Sequence, residues 1–254
     1  MTGTGAPAAS GESRRPALRQ ALSTPENKGR YVRRLFSTIA DRYDLITVLL
    51  SGGLDIRWKR ALVALADVTA ASDVLDLACG TGDIAYQLSA RGATTTGLDI
   101  TPRMLELAAR KASDARSPRW IAGDMMALPF ADGCFDVVTT GYGIRNVPVL
   151  RGAIAEIRRV LRPGGQFLSL DFNRPANPVV RTAYLSYLTV VGSALGFVLH
   201  RDPDTYRYIP ESIRRYPGAP AVCSIMREVG FEACEYIPVL GGLMAIHRAA
   251  RDSA

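Results

Sequence analysis

Acidic residues and glycines at nucleotide-binding spacing are concentrated in residues 74–83, VLDLACGTGD. An apolar run that carries Asp76 leads into Gly80, Thr81 and Gly82. Such a run suits a strand covered on both faces, as in a parallel sheet, and the glycines let the backbone approach a ligand closely. We therefore expect a strand, a ligand-binding loop and a helix start, which together indicate a nucleotide cofactor.

The charge of this loop separates two kinds of cofactor. The glycines also fit the dinucleotide fingerprint G-x-G-x-x-G/A, but Asp83 would repel a pyrophosphate at the helix N-terminus. Asp76 and Asp83 would instead favour a cofactor with an ammonium and a sulfonium, such as S-adenosylmethionine. Asp99, nineteen residues after Gly80, is placed to bind ribose hydroxyls, which both cofactors carry. We favour S-adenosylmethionine and keep a nicotinamide or flavin enzyme as the alternative.

Alternating strand and helix patterns follow this loop. The sequence predicts helices over residues 83–90, 101–112, 149–161 and 219–229, strands over 94–99, 120–122, 135–140 and 166–172, and a closing strand pair over 231–237 and 242–247. This repetition predicts an α/β, Rossmann-like fold with a doubly wound, mostly parallel seven-stranded sheet, whose ligands bind beyond the carboxyl ends of the strands. Asp76, Asp99, Asp124 and Gly141 fall in or near that rim.

The flanking segments divide the chain further. Residues 1–28, rich in Gly, Ala, Ser, Pro and Arg, predict a flexible basic tail, and residues 29–254 predict a single domain. Apolar residues at helical spacing predict a helical lid over residues 29–66, able to fold over the cofactor end of the sheet. Residues 174–218 predict an insertion on the substrate or membrane side. Its apolar stretch between Arg181 and Arg201 favours a buried or membrane-lying helix over a membrane span.

Composition narrows the class of partner. Lysine and arginine exceed the acids by 31 to 24, and the net charge of +7 favours anionic surfaces. No basic stripe interleaved with aromatic residues supports nucleic acid as a partner. The four cysteines lack metal-ligand spacing and the chain has two histidines, so we expect no metal site and a cytoplasmic protein with reduced thiols.

Several motifs outside the glycine loop carry a more specific resemblance. They are RYD at residues 42–44, LSGGLDIRWKR at 50–60, GYGIRNV at 141–147, LDF at 170–172, YRYIPESI at 206–213 and GGLMAIH at 241–247. With VLDLACGTGD, GLD, LPF, FD, GIRNV and VLRPGG in this order, the chain resembles class I S-adenosylmethionine-dependent methyltransferases. The motifs named above narrow this resemblance to the ubiquinone/menaquinone biosynthesis C-methyltransferase family, from about residue 32 to the C-terminal strand.

The resemblance implies methylation of a ring carbon of a polyprenyl hydroquinone, either demethylmenaquinol or the benzoquinol precursor of ubiquinone. It implies Arg145, Asn146 and Tyr43 as the residues that act on the quinol. Together with the loop, it leads us to expect cofactor contacts at Asp76, Gly80, Thr81, Gly82, Asp99, Ile100, Asp124, Met125 and Gly141. The chain departs from the family at Thr47, usually Asn, at Asp55, commonly His, and at Gly141, frequently Ser.

Carbon methylation requires an electron-rich ring carbon, and a phenolate is far more nucleophilic at carbon than a phenol. Arginine is a poor base, but its fixed charge can stabilise a developing phenolate, so we assign this role to Arg145 and ring positioning to Asn146 and Tyr43. An alternative is that Arg145 pairs with a structural acid. A methyltransferase acting on a soluble aromatic or a secondary metabolite, a silent binding protein and a homodimer also stay open. Peripheral contact with the inner face of an anionic membrane is a further hypothesis.

Overall fold

The computed structural model describes residues 18–112 and 117–253, so most of the predicted tail lies outside the described residues. Within these ranges the chain forms one seven-stranded sheet with helices on both faces. The strands are β1 (Asp73–Leu77), β2 (Thr94–Asp99), β3 (Arg119–Ala122), β4 (Phe135–Gly141), β5 (Leu161–Phe172), β6 (Phe231–Val239) and β7 (Met244–Arg251). The helices are α1 (Leu18–Ala21), α2 (Pro25–Ile39), α3 (Tyr43–Ser51), α4 (Asp55–Ala64), α5 (Asp83–Ser89), α6 (Pro102–Arg110), α7 (Leu150–Val160), α8 (Pro178–His200), α9 (Tyr208–Arg215) and α10 (Ala219–Val229).

The sheet has the strand order β3-β2-β1-β4-β5-β7-β6. β7 runs antiparallel to β5 and β6, and the other neighbours are parallel. The order reverses between β1 and β4, which is where ligands bind in open α/β sheets. This architecture confirms the predicted doubly wound, mostly parallel sheet.

Apolar side chains on both faces of the sheet hold the layers together. One core joins β4 and β5 to α7 and α10 through residues such as Ile154 and Met226. The other joins β1 and β5 to α4 and α5 through Leu62 and Leu88. Because both faces of the central strands are covered, successive residues of β1 and β4 are buried, as the sequence around Asp76 indicated for a parallel sheet.

Several predicted boundaries differ from the structure. Within the described residues, α1 covers Leu18–Ala21 and α2 begins at Pro25, both inside the predicted tail. Thr24 caps α2 by accepting a hydrogen bond from the Asn27 N–H at 3.2 Å. The strand predicted over residues 166–172 begins earlier, at Leu161. Its pairing with β4 shifts register across the Pro-Gly-Gly segment. The helical lid predicted over residues 29–66 is interrupted by a 3-10 turn, Ala40–Arg42.

The N-terminal helices lie over the carboxyl edge of the sheet and are held there by polar contacts. Asp44 of α3 accepts a hydrogen bond from the Thr81 hydroxyl at 2.5 Å and pairs with Lys111 at 2.8 Å. Asp41 pairs with Arg103 of α6. These contacts connect the segment that we name the lid, α2 to α4, directly to the glycine loop after β1.

Candidate active site

The glycine loop after β1 takes a backbone shape that few side chains tolerate. Ala78, Gly80 and Gly82 have φ angles of 49°, 55° and 87°. A Cβ on Gly82 would lie 2.5 Å from the Trp120 ring, so glycine is required there by packing as well as by φ. The loop therefore turns sharply enough for Gly80 to face a cavity at the edge of the sheet.

Asp99, at the end of β2, is one of two acids that line this cavity. Its Oδ2 accepts the Gly80 N–H at 2.9 Å, and its Oδ1 accepts the Thr101 N–H at 2.8 Å. Burial raises the pKa of Asp99, while these main-chain donors oppose the rise. Each carboxylate oxygen keeps a second lone pair, so the side chain can also accept hydrogen bonds from ligand hydroxyls.

We name the cavity above β1, β2 and β4 the rim cavity; its empty volume is about 780 Å³. Six of the residues predicted to bind the cofactor line it: Gly80, Asp99, Ile100, Asp124, Met125 and Gly141. The carboxylate of Asp124 accepts the Met126 N–H at 2.9 Å, which orders the turn after β3. The rim cavity thus combines two acids with apolar walls from Ile100 and Met125, which suits an adenosine group.

Two more of the predicted residues, Asp76 and Thr81, lie outside the rim cavity. They line an adjoining space of about 320 Å³, here named the polar cavity. Asp76 accepts a hydrogen bond from the Thr139 hydroxyl at 2.8 Å. Among the described residues its Oδ2 has no hydrogen-bond partner, and burial raises the pKa of Asp76 to about 7. Gly82 lines neither cavity, and it serves the turn and the Trp120 contact instead.

Asp83 does not act as the unpaired negative charge that the loop sequence suggested. Its Oδ2 contacts the Lys59 ammonium at 2.8 Å, and its Oδ1 contacts Lys111 at 3.1 Å. Burial would raise the pKa of Asp83, but Lys59 and then Lys111 outweigh it and hold the pKa below its usual value. Of the two acids, Asp76 is therefore the one left to attract a cationic group.

Gly141 replaces a frequent serine of the family, and the structure explains why a side chain is absent. A Cβ at this position would lie 2.6 Å from Cδ1 of Ile84. Ile84 of α5 therefore fills the space that a serine side chain would need. Gly141 still lines the rim and polar cavities, so its backbone remains available to a ligand.

A third space, the apolar cavity, lies beneath the lid and has an empty volume of about 1370 Å³. The lid, β5, α8 and α9 contribute mostly aliphatic and aromatic side chains to its wall. Tyr43 and Tyr142 line all three cavities, so they stand where the spaces meet. This junction is where a group bound at the rim could reach a molecule held in the apolar cavity.

Arg145 is the charged residue that lines the apolar cavity, and it is also paired with an acid. Its side chain forms a buried ion pair with Asp171, and its Nε donates to the Ser212 hydroxyl at 2.9 Å. The guanidinium also lies 4.7 Å from the centre of the Phe172 ring. These polar contacts use two of the five N–H groups of a guanidinium, counted among the described residues. The pairing alternative therefore holds in part, because the paired side chain still faces the cavity.

Asn146 and Tyr43 occupy different positions from each other. The Asn146 amide donates to the Tyr142 carbonyl at 2.8 Å and accepts from the Tyr208 hydroxyl at 2.9 Å. Asn146 lines the rim cavity, whereas Arg145 lines the apolar cavity. Two neighbouring side chains of the short turn Ile144–Asn146 therefore face different cavities. Tyr43 lies at the junction, where burial raises the pKa of its phenol and keeps it protonated.

Sequence reasoning missed two lysines of the site. Lys59 of α4 lines the polar cavity between Asp55 and Asp83. Lys28, assigned to the tail, donates to the carbonyls of Arg145 at 3.0 Å and Val147 at 2.6 Å, and burial lowers its pKa to about 8. The WKR motif could have drawn attention to Lys59. Nothing local marks Lys28, because its partners lie more than a hundred residues away in the sequence.

These residues fit S-adenosylmethionine. The unpartnered Oδ2 of Asp76 and the buried Asp99 carboxylate suit a cation and a ribose, and the apolar walls suit an adenine. Among the described residues, no group of three or more His, Cys, Asp or Glu side chains could hold a metal ion.

Known proteins of similar sequence share most of this chain. A model of the ubiE/COQ5 methyltransferase family matches residues 24–251. A ubiquinone/menaquinone biosynthesis C-methyltransferase of Dinoroseobacter shibae is 41% identical over 228 residues, which are 87% of this chain and 91% of that protein. A demethylmenaquinone methyltransferase of Thermus thermophilus is 42% identical over 217 residues, covering 84% and 98% of the two chains.

Solved structures agree on the fold. A S-adenosylmethionine-dependent methyltransferase of Thermotoga maritima superposes with a TM-score of 0.63 at 17% identity, over 87% of this chain and all of that one. A phosphoethanolamine N-methyltransferase of Haemonchus contortus, solved with S-adenosyl-L-methionine, has a TM-score of 0.58 at 16% identity, over 77% of this chain and 52% of that one. The family match and the geometry of the site together lead to one assignment. This chain belongs to the ubiE/COQ5 methyltransferase family and is an S-adenosylmethionine-dependent methyltransferase.

Proposed function

We propose that this enzyme methylates a ring carbon of a polyprenyl hydroquinone, either demethylmenaquinol or a benzoquinol precursor of ubiquinone. The observation that carries the proposal is the apolar cavity of about 1370 Å³ that meets the rim cavity at Tyr43 and Tyr142. A long prenyl chain requires an apolar space, and its ring must reach the junction. The named relatives from Dinoroseobacter and Thermus support the same chemistry.

The chain's own residues can prepare the ring for methylation. When bound, S-adenosylmethionine supplies an electrophilic methyl group on a positively charged sulfur. Arg145 lines the apolar cavity, where its remaining N–H groups can donate to a ring oxygen and stabilise negative charge that develops on it. Asp171 holds the guanidinium in place, and Tyr43 at the junction can position the ring. Asn146 acts as a positioning residue, since neighbouring groups already hold its amide.

Of the two departures from the family on the lid, Thr47 concerns the methyl acceptor and Asp55 does not. Thr47 lines the apolar cavity, and its hydroxyl donates to the Tyr43 carbonyl at 2.9 Å. An asparagine there would offer a second polar group to the ring, so Thr47 favours a less polar head group. Asp55 instead pairs with Lys59 at the polar cavity, so that departure concerns the cofactor end. Because Thr47 departs from the family in the wall of the apolar cavity, it also supports a soluble aromatic acceptor as the second candidate.

The direct test uses purified enzyme and S-adenosylmethionine labelled in the methyl group. Demethylmenaquinol, a polyprenyl benzoquinol and a set of soluble phenols are assayed in parallel, with mass spectrometry locating the label. The proposal requires label on a ring carbon of a prenylated quinol. Faster transfer to a soluble phenol, or label on oxygen or nitrogen, would refute it. Enzyme with Tyr43→Phe should keep the same product at a reduced rate, because the ring of that side chain remains.

Peripheral contact with the cytoplasmic face of a membrane is part of this proposal. α8 is long and apolar enough to span a bilayer by length and composition, yet 28% of its apolar window is buried against the protein. Its outer face exposes Val179 at 75%, Val190 at 68% and Val198 at 74%. Tyr187 and Leu240 are exposed and also line the apolar cavity, so the cavity opens onto an apolar surface. A prenyl chain could then enter the cavity from the bilayer without crossing water.

Flotation with lipid vesicles tests this contact. We expect the protein to float with vesicles that contain anionic lipid, and Val190→Asp/Val198→Asp to remain at the bottom of the gradient. Val149→Asp, an exposed apolar position outside α8, is the matched control and should float normally. If the wild type does not float and instead sediments as a dimer that the α8 variant abolishes, the apolar face binds a second copy and the membrane proposal is refuted.

A further inference from the structure

The polar cavity holds a buried cation that no role in the site described so far explains. Lys59 has 6% of its surface exposed and reaches this cavity from α4 of the lid. Its ammonium lies 2.9 Å from Asp55 Oδ2 and 2.8 Å from Asp83 Oδ2. An ammonium has three N–H donors, and these contacts use two of them, counted among the described residues. The remaining donor is available to a ligand in the polar cavity.

Lys59 belongs to a charge cluster in which Asp83 is shared with Lys111 at 3.1 Å, and Lys111 also pairs with Asp44 at 2.8 Å. The feature left to a ligand is therefore the third N–H of the Lys59 ammonium, not an excess of positive charge. Burial would lower the pKa of Lys59, but Asp83 outweighs it and the pKa is raised, so the side chain stays an ammonium. Lys59 also lies 6.0 Å from the centre of the Tyr142 ring. The cavity therefore offers a desolvated cation in a fixed position.

Opposite charges line the same small space. Asp76 has 1% of its surface exposed and presents an oxygen without a partner in the part of the chain that the structure describes. Lys59 and Asp76 both line the polar cavity, and Gly80, Gly141 and Tyr142 line it together with the rim cavity. An ammonium N–H and a carboxylate oxygen that line one small space, next to the rim cavity, are complementary to an α-amino acid group, whose ammonium and carboxylate lie a few atoms apart.

We propose that Lys59 binds the carboxylate of the amino-acid end of S-adenosylmethionine, and that Asp55 is the positioning residue that holds Lys59 there. This assignment gives a function to Asp55, which stands where the family commonly has histidine. Asp55 lies one helical turn from Lys59 along α4, and its ion pair with Lys59 holds the ammonium toward the cavity. The inference rests on the cofactor and makes no use of the methyl acceptor, so it stands or falls separately from the quinol proposal.

A rival explanation is that Lys59 only clamps the lid to α5. A set of three ligands separates the two explanations by calorimetry: S-adenosylmethionine, its decarboxylated form, which lacks only the carboxylate, and methylthioadenosine, which lacks the whole amino-acid end. A hydrogen bond between charged groups corresponds to roughly a ten- to hundredfold change in affinity. Lys59→Met should therefore bind S-adenosylmethionine that much more weakly, while its affinity for the other two ligands stays within about twofold.

The affinities for the three ligands are compared within each variant. Partial unfolding would weaken the binding of all three ligands alike, so it cannot produce the expected difference between them. Lys111→Met is the matched control, because it removes the other lysine of Asp83 and lies outside the polar cavity. It should change the three affinities equally. Equal loss for all ligands in Lys59→Met, or no loss, would overturn the assignment. Asp55→Asn should weaken the binding of S-adenosylmethionine less than Lys59→Met does, and should again leave the affinities for the two ligands without a carboxylate unchanged. If the ratio of the three affinities is the same as in the wild type, Asp55 has no positioning role.

Discussion

The ion pair between Arg145 and Asp171 allows the structural and chemical roles of Arg145 to be separated. Both side chains are almost fully buried. In Arg145→Met the Asp171 carboxylate keeps two main-chain donors, the N–H groups of residue 145 at 3.0 Å and of Phe172 at 2.7 Å, but loses its counter-charge. Breaking a buried pair in this way costs about 3–5 kcal/mol of the free energy of unfolding. At about 2–4 °C per kcal/mol, the melting temperature should fall by roughly 6–20 °C.

The double variant Arg145→Met/Asp171→Asn removes both charges. The asparagine has one acceptor oxygen, so it can accept one of the two main-chain hydrogen bonds, and we expect part of the lost stability to return. Turnover should not return, because the donor that stabilises negative charge on the ring is gone. Removing one such donor typically lowers the catalytic rate constant by roughly 100- to 1000-fold. Cofactor affinity should stay near that of the parent, since Arg145 lines the apolar cavity and not the rim cavity.

Thermal melts followed by circular dichroism, calorimetry with S-adenosylmethionine and a turnover assay measure these quantities. Arg151→Met is the matched control, because the pair of Arg151 with Glu228 is about half exposed and should contribute about 0–1 kcal/mol. Turnover of the double variant within a few-fold of the parent would refute the electrostatic role of Arg145. A single variant that melts like the parent would refute the importance assigned to the buried pair.

Four shorter predictions concern the cofactor end. Because burial raises the pKa of Asp76 to about 7 and a cationic cofactor favours the carboxylate, calorimetric affinity should rise from about pH 6 to about pH 8, and Asp76→Asn should abolish this rise. The ligand-free protein should lose stability as the pH rises through about 7, since folding favours the protonated carboxyl, and thermal melts at several pH values would show it. Gly82→Ala should melt lower than Gly52→Ala: both have positive φ, but only the Cβ at residue 82 meets the Trp120 ring. Asp99→Asn should weaken S-adenosylmethionine binding at least about tenfold in calorimetry, and unchanged affinity would contradict the ribose assignment.

The strand and helix pattern around the glycine loop could be predicted closely. The prediction for residues 94–99 matches β2, and that for residues 219–229 matches α10. These segments have local signals: apolar runs for covered strands, helical spacing of apolar residues, and a glycine in the left-handed conformation after α10. The start of α2 was missed although Thr24 and Pro25 are also a local signal, because the composition around them resembles that of a disordered tail.

Site residues were predictable where chemistry depends on neighbours in sequence. The glycine loop and Asp99 follow from short spacings, so the cofactor class could be inferred from residue types alone. Partners from distant segments could not be inferred. Asp83 was expected to favour a cationic cofactor, and it pairs instead with two lysines that α4 and the end of α6 bring to it. The same applies to Arg145, whose acid lies on a neighbouring strand.

The sequence by itself therefore determined the fold class, the family and the kind of cofactor, since these depend on periodicity and on motifs that a few adjacent residues complete. Only the tertiary structure decided which charges are cancelled and which remain. Ion pairs depend on distances of a few ångströms between segments far apart in the chain, and burial strengthens the pairs that form. The tertiary structure left the Oδ2 of Asp76 without a partner within the described chain, placed Lys59 in the wall of the same cavity, and turned Arg145 toward an apolar space.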